Sequence, residues 1–323
     1  MLNKQKSKPG GNLKIAVIGA GATGSLFAWF FHRAGEEVWL LDIHSDRAEI
    51  IRRNGISLEG ISGAHSFSPR IALDPREIGP VDLVLIAVKS YHTEAAAAAA
   101  ARLLSREAFV LTLQNGIGNL EIIAAAVGKD RTLGGSTAQG STLLGPGRIR
   151  HAGKGDTIIG EISGPPTERV EKIIAVLRRG GAEAKSTSNL AGAIWGKLLV
   201  NAGINPLTAL TRLKNGELLN YPGTRAVMQA AVSEGEKIAQ VKNIQLPYED
   251  AVARTEAVCR ATAGNISSML QDVLKRKRTE VTNINGALVR EGEVLGIPTP
   301  VNQTLNGLVQ TLEESYAQQV QNI

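Results

Sequence analysis

A chain of 323 residues is too long for one small core and comfortable for two domains of ordinary size. Hydrophobic residues make up 43% and charged residues 20%, which excludes a disordered or fibrous chain, and no apolar run is long enough to cross a bilayer. The net charge of +6 does not predict nucleic-acid binding, because Lys275-Arg276-Lys277-Arg278 has no interleaved aromatic residue; it suits a protein whose ligands are small anions.

Residues 1–11 are basic and lack the apolar core of a secretory signal, so they are expected to form a disordered tail. Leu13 to Ile18 is a continuous apolar run that predicts a buried strand, followed by Gly19-Ala20-Gly21-Ala22-Thr23-Gly24 and a helical pattern through His32. Glu37 to Leu41 predicts a second strand ending at Asp42, and Val81 to Val88 and Phe109 to Leu113 predict two more. Short apolar strands alternating with helices imply a parallel sheet covered on both faces, a doubly wound Rossmann-type α/β domain over residues 12–188. The longest bland stretch, Ala95 to Ala101, is a helix former flanked by charge. From Asn189 the texture changes. Helical periodicity over 190–205, 224–241, 249–274, 279–296 and 302–320, punctuated by Pro247, Pro298 and Pro300, predicts an all-helical domain over 189–323.

A lone GxGxxG is weak evidence, but this one follows a strand, opens a helix and has a carboxylate at the end of the next strand. In that setting Gly19 permits the tight turn, Gly21 lets the backbone approach a pyrophosphate, and Gly24 allows the helix to pack on the sheet. The helix N-terminus then faces the phosphates with its free amides. Asp42 is expected to accept hydrogen bonds from the adenosine ribose hydroxyls and to repel a 2′-phosphate, which favours NADH. Arg47, Arg52 and Arg53 lie close by and leave NADPH open.

In the segment Asn189 to Asn205, helical spacing puts Lys197, Asn201 and Asn205 on one stripe. Ile194, Trp195, Leu198, Leu199, Val200 and Ile204 surround them, so the helix is expected to be buried and its polar residues to need partners. His32, His44, His65, His92 and His151 are scattered without metal-ligand spacing and are expected at the surface or in loops. Cys259, the single cysteine, excludes an intramolecular disulfide and a cysteine-based zinc site. It is expected to be a small buried residue in a cytoplasmic protein.

The ordered set of motifs resembles the ketopantoate reductase (2-dehydropantoate 2-reductase) family from about residue 13 to 310. It comprises Gly19-x-Gly21-x-x-Gly24, Val88-Lys89, Gln114-Asn115-Gly116, Trp195-Gly196-Lys197-Leu198-x-x-Asn201 and Asn205-Pro206-Leu207-Thr208. Asn215-Gly216-Glu217, Asn265 through Asp272, Thr279-Glu280 and Asn285-Gly286 complete it. The resemblance implies Lys197 as general acid, with Glu280 contacting the cofactor and organising the lysine. It implies substrate contacts at Asn201, Asn205, Asn215, Asn265 and Ser268, with Lys89 and Asn115 lining the nicotinamide side. Where family members often carry a basic residue for the 2′-phosphate, this chain has Asp42-Ile43-His44.

Those residue types suit the chemistry. Hydride attack on a ketone develops negative charge on oxygen, which a partly buried ammonium stabilises and then protonates. The expected activity is reduction of ketopantoate to pantoate, a step toward pantothenate and coenzyme A. The alternatives are another branched 2-oxo acid on the same fold, or a dinucleotide sensor without turnover. Apolar helices in the second domain make a homodimer the expected partner, with no membrane or nucleic acid.

Overall fold

The computed structural model describes residues 12–319; the expected tail over residues 1–11 lies outside the described residues. Two compact units emerge. One comprises residues 12–88, 92–113 and 122–188; the other comprises 89–91, 114–121 and 189–319.

The strands of the first unit are β1 (Lys14–Ile18), β2 (Glu37–Leu41), β3 (Ile56–Gly60), β4 (His65–Phe67), β5 (Arg70–Ala72) and β6 (Val81–Ile86). They continue with β7 (Leu104–Thr112), β8 (Thr132–Thr137), β9 (Gly140–Gly145), β10 (Arg148–Gly153), β11 (Thr157–Glu161) and β12 (Ala184–Ser186). Its helices are α1 (Ala22–Arg33), α2 (Ser45–Asn54), α3 (Thr93–Ala101), α4 (Asn119–Val127), whose first turn groups with the second unit, and α5 (Glu168–Arg179).

An eight-stranded sheet runs β12-β11-β8-β7-β6-β1-β2-β5. From β5 to β8 every pairing is parallel; β11 then runs antiparallel to β8. Strand alternation divides the core between the two faces. Ile15, Val17, Leu83 and Leu85 pack with α1 and α5, whereas Ala16, Ile18, Val84 and Ile86 pack with the alanines of α3. The first of these helices is apolar all round, with Phe27, Phe30 and Phe31 at most 1% exposed. Each such side chain contributes roughly 1.5–3 kcal/mol through burial.

A second sheet, β4-β3-β10-β9, was not expected. Its strands are short or irregular, and β9 and β10 meet across register shifts, so no clean apolar alternation announces them. This sheet also corrects the placement of His151. That residue takes an inward position on β10 and is 1% exposed, while Arg148 and Arg150 point outward. Its Nδ1 lies 2.7 Å from Ser62 Oγ and its Nε2 lies 2.9 Å from Gln139 Oε1. With both ring nitrogens partnered the imidazole can be buried, and burial lowers its pKa.

The second unit contains α6 (Leu190–Thr211), α7 (Pro222–Val241), α8 (Ala251–Ala261), α9 (Ser268–Leu274), α10 (Asn285–Leu295) and α11 (Pro300–Glu314). The expected segment 249–274 is two helices. A break over 262–267 ends at Ser267, whose Oγ accepts from Leu270 N at 3.0 Å and caps α9. The stretch 279–296 likewise divides, into a 3₁₀ turn over Val281–Asn283 and α10. Loop 114–121 belongs here because Ile117 N donates to Asn283 O at 3.3 Å, and a side chain at Gly116 would strike that same carbonyl. Among the described residues, no helix is long and apolar enough to cross a membrane. The thiol of Cys259 is fully buried, which pushes its pKa up to about 11.

Candidate active site

The three loop glycines answer to different demands. Gly19 has φ +103°, and a Cβ there would lie 2.9 Å from Val88 Cγ1. A Cβ on Gly24 would lie 1.9 Å from the Gly19 carbonyl oxygen. Folding alone requires both to be glycine. A Cβ on Gly21 would meet nothing within 4 Å, so packing does not explain this residue. Gly21 is the N-cap of α1 and offers no side chain to its first-turn amides, contributed by Ala22, Thr23 and Gly24. A bare backbone beside open space, ending in unspent N–H groups, fits a dinucleotide pyrophosphate. Ile43, beside Asp42, is 76% exposed.

Asp42 is itself held in place by the protein. Its carboxylate is 4% exposed and already serves the protein. Oδ2 accepts from Ala20 N at 2.8 Å and from Arg47 Nη1 at 2.8 Å, and Oδ1 accepts from His44 N at 2.9 Å. The residue therefore pins the second position of the glycine loop as well as the start of α2.

In the second unit, α6 carries Lys197, Asn201 and Asn205 at four-residue spacing. Leu198, Leu199, Ala202 and Ile204 are buried around them. Burial pushes the Lys197 pKa down to about 8, with Glu280 opposing the shift. Pro206 sits inside this helix and, lacking an N–H, cannot bond the Ala202 carbonyl. Asn285 Nδ2 does so instead, at 3.0 Å, and also reaches Asn302 Oδ1 at 2.9 Å. Asn302 in turn donates to Glu234 Oε2 at 2.7 Å. The α6 carbonyl that Pro206 leaves without its helical partner is thus held from α10, and Asn285 in turn from α11.

Around Glu280 the structure gathers residues distant in sequence. Ser90 N and Ser90 Oγ donate to Glu280 Oε1 at 3.0 and 2.8 Å, and Asn115 Nδ2 reaches Oε2 at 3.4 Å. Lys89 Nζ lies 3.5 Å from Glu280 Oε2 and 2.5 Å from Asp272 Oδ2. Burial alone would raise the Glu280 pKa, but Lys89 and the bonds from Ser90 and Asn115 outweigh it and keep the carboxyl ionised. Burial likewise opposes charge on Lys89, and Glu280 with Asp272 more than compensates. Four charges, two of each sign, therefore belong to one cluster.

Of the expected contacts, Lys197, Glu280, Lys89 and Asn115 come together, and Asn201 and Asn205 continue the Lys197 stripe. Asn215 and Asn265 form a neighbouring group: Asn215 N donates to Asn265 O at 3.1 Å and Asn215 Nδ2 to Thr262 Oγ1 at 2.9 Å. The Asn215 Oδ1 is buried with no partner among the described residues, an acceptor left for something outside the chain. Asn265 and Ser268 are exposed. Ser90 was missed because a serine beside Lys89 carries no spacing signal. Asp272 lay inside a quoted motif without a role. Among the described residues no group of His, Cys, Asp or Glu could hold a metal.

Known proteins resemble this chain across both of its parts. The profile described as "Ketopantoate reductase PanE/ApbA" matches residues 15–164, and its C-terminal companion matches residues 189–313. The 2-dehydropantoate 2-reductase of Halobacterium salinarum is 38% identical over 301 residues, covering 92% of this chain and 98% of that protein. A PanE/ApbA family ketopantoate reductase structure from Ralstonia eutropha is 32% identical with a TM-score of 0.86, covering 94% and 99% of the two chains. D-mandelate dehydrogenase, solved with NADH and anilino(oxo)acetate, is 29% identical with a TM-score of 0.89, again covering 94% and 99%. With both domains matched in order, this chain belongs to the ketopantoate reductase family.

Proposed function

We propose that the chain reduces 2-dehydropantoate to pantoate with NADPH or NADH, with Lys197 as the general acid. The observation that carries this reading is the half-buried Lys197 on the α6 stripe with Asn201 and Asn205, in one charge cluster with Glu280, where desolvation pushes its pKa down to about 8. When bound, the reduced nicotinamide supplies a hydride to the ketone carbon. Lys197 stabilises the negative charge that develops on the ketone oxygen and gives up its proton to that atom. A pKa near neutrality suits the task, because the group is charged at rest yet releases its proton readily. Glu280 keeps the lysine from losing its charge altogether.

Asn201 and Asn205 lie on the same stripe, and among the described residues no side-chain hydrogen bond occupies either amide. They supply neutral donors to the substrate carboxylate, with Asn115, Asn215, Asn265 and Ser268 as further polar contacts. The buried acceptor of Asn215 suits the substrate hydroxyl. Lys89 and Asn115, held by Glu280, serve the nicotinamide side. The reading places the enzyme in the cytoplasm as a homodimer, which sedimentation would test.

The deciding assay follows oxidation of NADPH and of NADH with ketopantoate and a panel of branched 2-oxo acids at matched concentration. Ketopantoate should give the highest kcat/KM. A second reading, reduction of a different branched 2-oxo acid, is favoured by the likeness to D-mandelate dehydrogenase, and another acid leading the panel would establish it. Oxidation with no 2-oxo acid at all would refute both.

A further inference from the structure

We infer that Ser90 is a positioning residue for the reaction: it anchors one oxygen of Glu280 and restrains that carboxylate from closing onto the lysines, which leaves the Lys197 proton transferable. This role presupposes the reading of Lys197 as the general acid. Ammonium and carboxylate groups that are able to meet close to about 2.7–2.9 Å. Lys89 Nζ comes as near as 2.5 Å to Asp272 Oδ2, yet it stays 3.5 Å from Glu280 Oε2. The short bonds of Glu280 run instead to neutral donors on its other oxygen, Ser90 Oγ at 2.8 Å and Ser90 N at 3.0 Å.

The serine hydroxyl has one proton and a second acceptor within reach, the Asn115 carbonyl at 2.9 Å. Asn119 Nδ2 donates to that carbonyl at 2.9 Å, so the carbonyl has a donor without the serine and the hydroxyl can stay on Glu280. Ser90 is 4% exposed, and water competes little for the bond. Each neutral donor stabilises the ionised carboxyl and makes it less basic toward other partners. The charged and titratable groups around Glu280 are Lys89, Asp272, Tyr91 and Lys197. Lys89 already has Asp272, so the charge that Ser90 withholds is withheld chiefly from Lys197. A lysine in a tight pair keeps its proton, whereas a general acid must yield it.

Ser90→Ala removes the hydroxyl and should make Glu280 more basic. NMR of the full chain carrying carboxyl-labelled glutamate reads this directly, with the Glu280 resonance identified by its loss in Glu280→Gln. Its titration should move up by about one pH unit, the tenfold change in ionisation constant expected for one hydrogen bond to a charged group. The more basic carboxylate holds the Lys197 proton more tightly. The alkaline limb of kcat/KM for ketopantoate should therefore move to higher pH by on the order of half a unit, opposite to the shift in Glu280→Gln. Ser90→Thr keeps the hydroxyl and should leave both quantities at their wild-type positions, with thermal unfolding as a check that each variant is folded. A Glu280 titration unmoved in Ser90→Ala overturns the inference, as does an alkaline limb that stays in place or moves down. A shift in Ser90→Thr as large as in Ser90→Ala would assign the effect to packing and overturns it as well. If the wild-type chain reduces no 2-oxo acid, the proposed function falls, and the Glu280 titration still decides whether the serine restrains the carboxylate.

Discussion

The Glu280 carboxylate stands 3.5 Å from the ammonium of Lys89, so the charge expected to serve Lys197 is shared between two lysines. Lys89 also has Asp272 at 2.5 Å and is held firmly protonated. Lys197 has Glu280 as its main compensating charge, and there burial wins. One lysine is thereby fixed as a permanent cation while the other can exchange its proton.

This division predicts the alkaline limb of the pH profile. Below about 8 the Lys197 ammonium is present, and above about 8 it is lost. A general acid must be protonated, so kcat/KM, which reports the free enzyme, should fall about tenfold per pH unit on the alkaline side. In Glu280→Gln the charge that opposes desolvation is gone, and the limb should move to lower pH. A limb that stays in place or moves upward would show that another group titrates.

Replacing Lys197 by Met should separate catalysis from stability. Turnover should fall by roughly 10²–10⁴, the usual contribution of a general acid, with dinucleotide binding kept. The sign for stability is opposite. The folded pKa of Lys197, about 8, lies below its ordinary value of 10.5, so between those values the unfolded chain binds more protons. Wild-type stability should therefore rise with pH across that window, a slope the Met variant lacks. Thermal unfolding at both ends of the window reads the difference. Equal slopes in the two proteins would contradict the lowered pKa of Lys197.

The parts legible in the sequence were those with a short-range period. The β1–loop–α1 unit, Asp42 at the end of β2 and the Lys197 stripe on α6 rest on spacings of two or four residues. The partnerships across long separations were not legible. Nothing local marks Ser90 as the residue that grips Glu280 190 positions away, or Asp42 as already bonded to Ala20 and Arg47. The small second sheet escaped because strands such as His65–Phe67 are too short to show alternation.

The Asn285 bond to the Ala202 carbonyl predicts a coupling that only Pro206 explains. Asn285→Ala should cost about 1–3 kcal/mol, because a buried carbonyl loses its partner. Pro206→Ala restores a backbone N–H that can bond Ala202 directly. In the double variant the loss should be smaller than the sum of the single effects, measured as a coupling energy by denaturant unfolding. Strict additivity would mean that Asn285 stabilises the chain by packing rather than by replacing the missing amide.

The loop glycines offer a test in which folding and binding part company. Gly24→Ala would set a Cβ 1.9 Å from the Gly19 carbonyl oxygen, so the loop and α1 must move apart. Its melting temperature should fall, and binding should fail along with the fold. Gly21→Ala meets nothing within 4 Å, and its melting temperature should match that of the parent chain. If open space beside Gly21 exists so that a pyrophosphate can approach the backbone, this variant should lose dinucleotide affinity by about tenfold or more while remaining fully folded. Calorimetric titration with NADPH and NADH, beside a melting curve, reads both quantities. Unchanged affinity for Gly21→Ala would mean that the phosphates do not approach the loop at this residue, and the placement of the cofactor on the N-terminus of α1 would have to be abandoned.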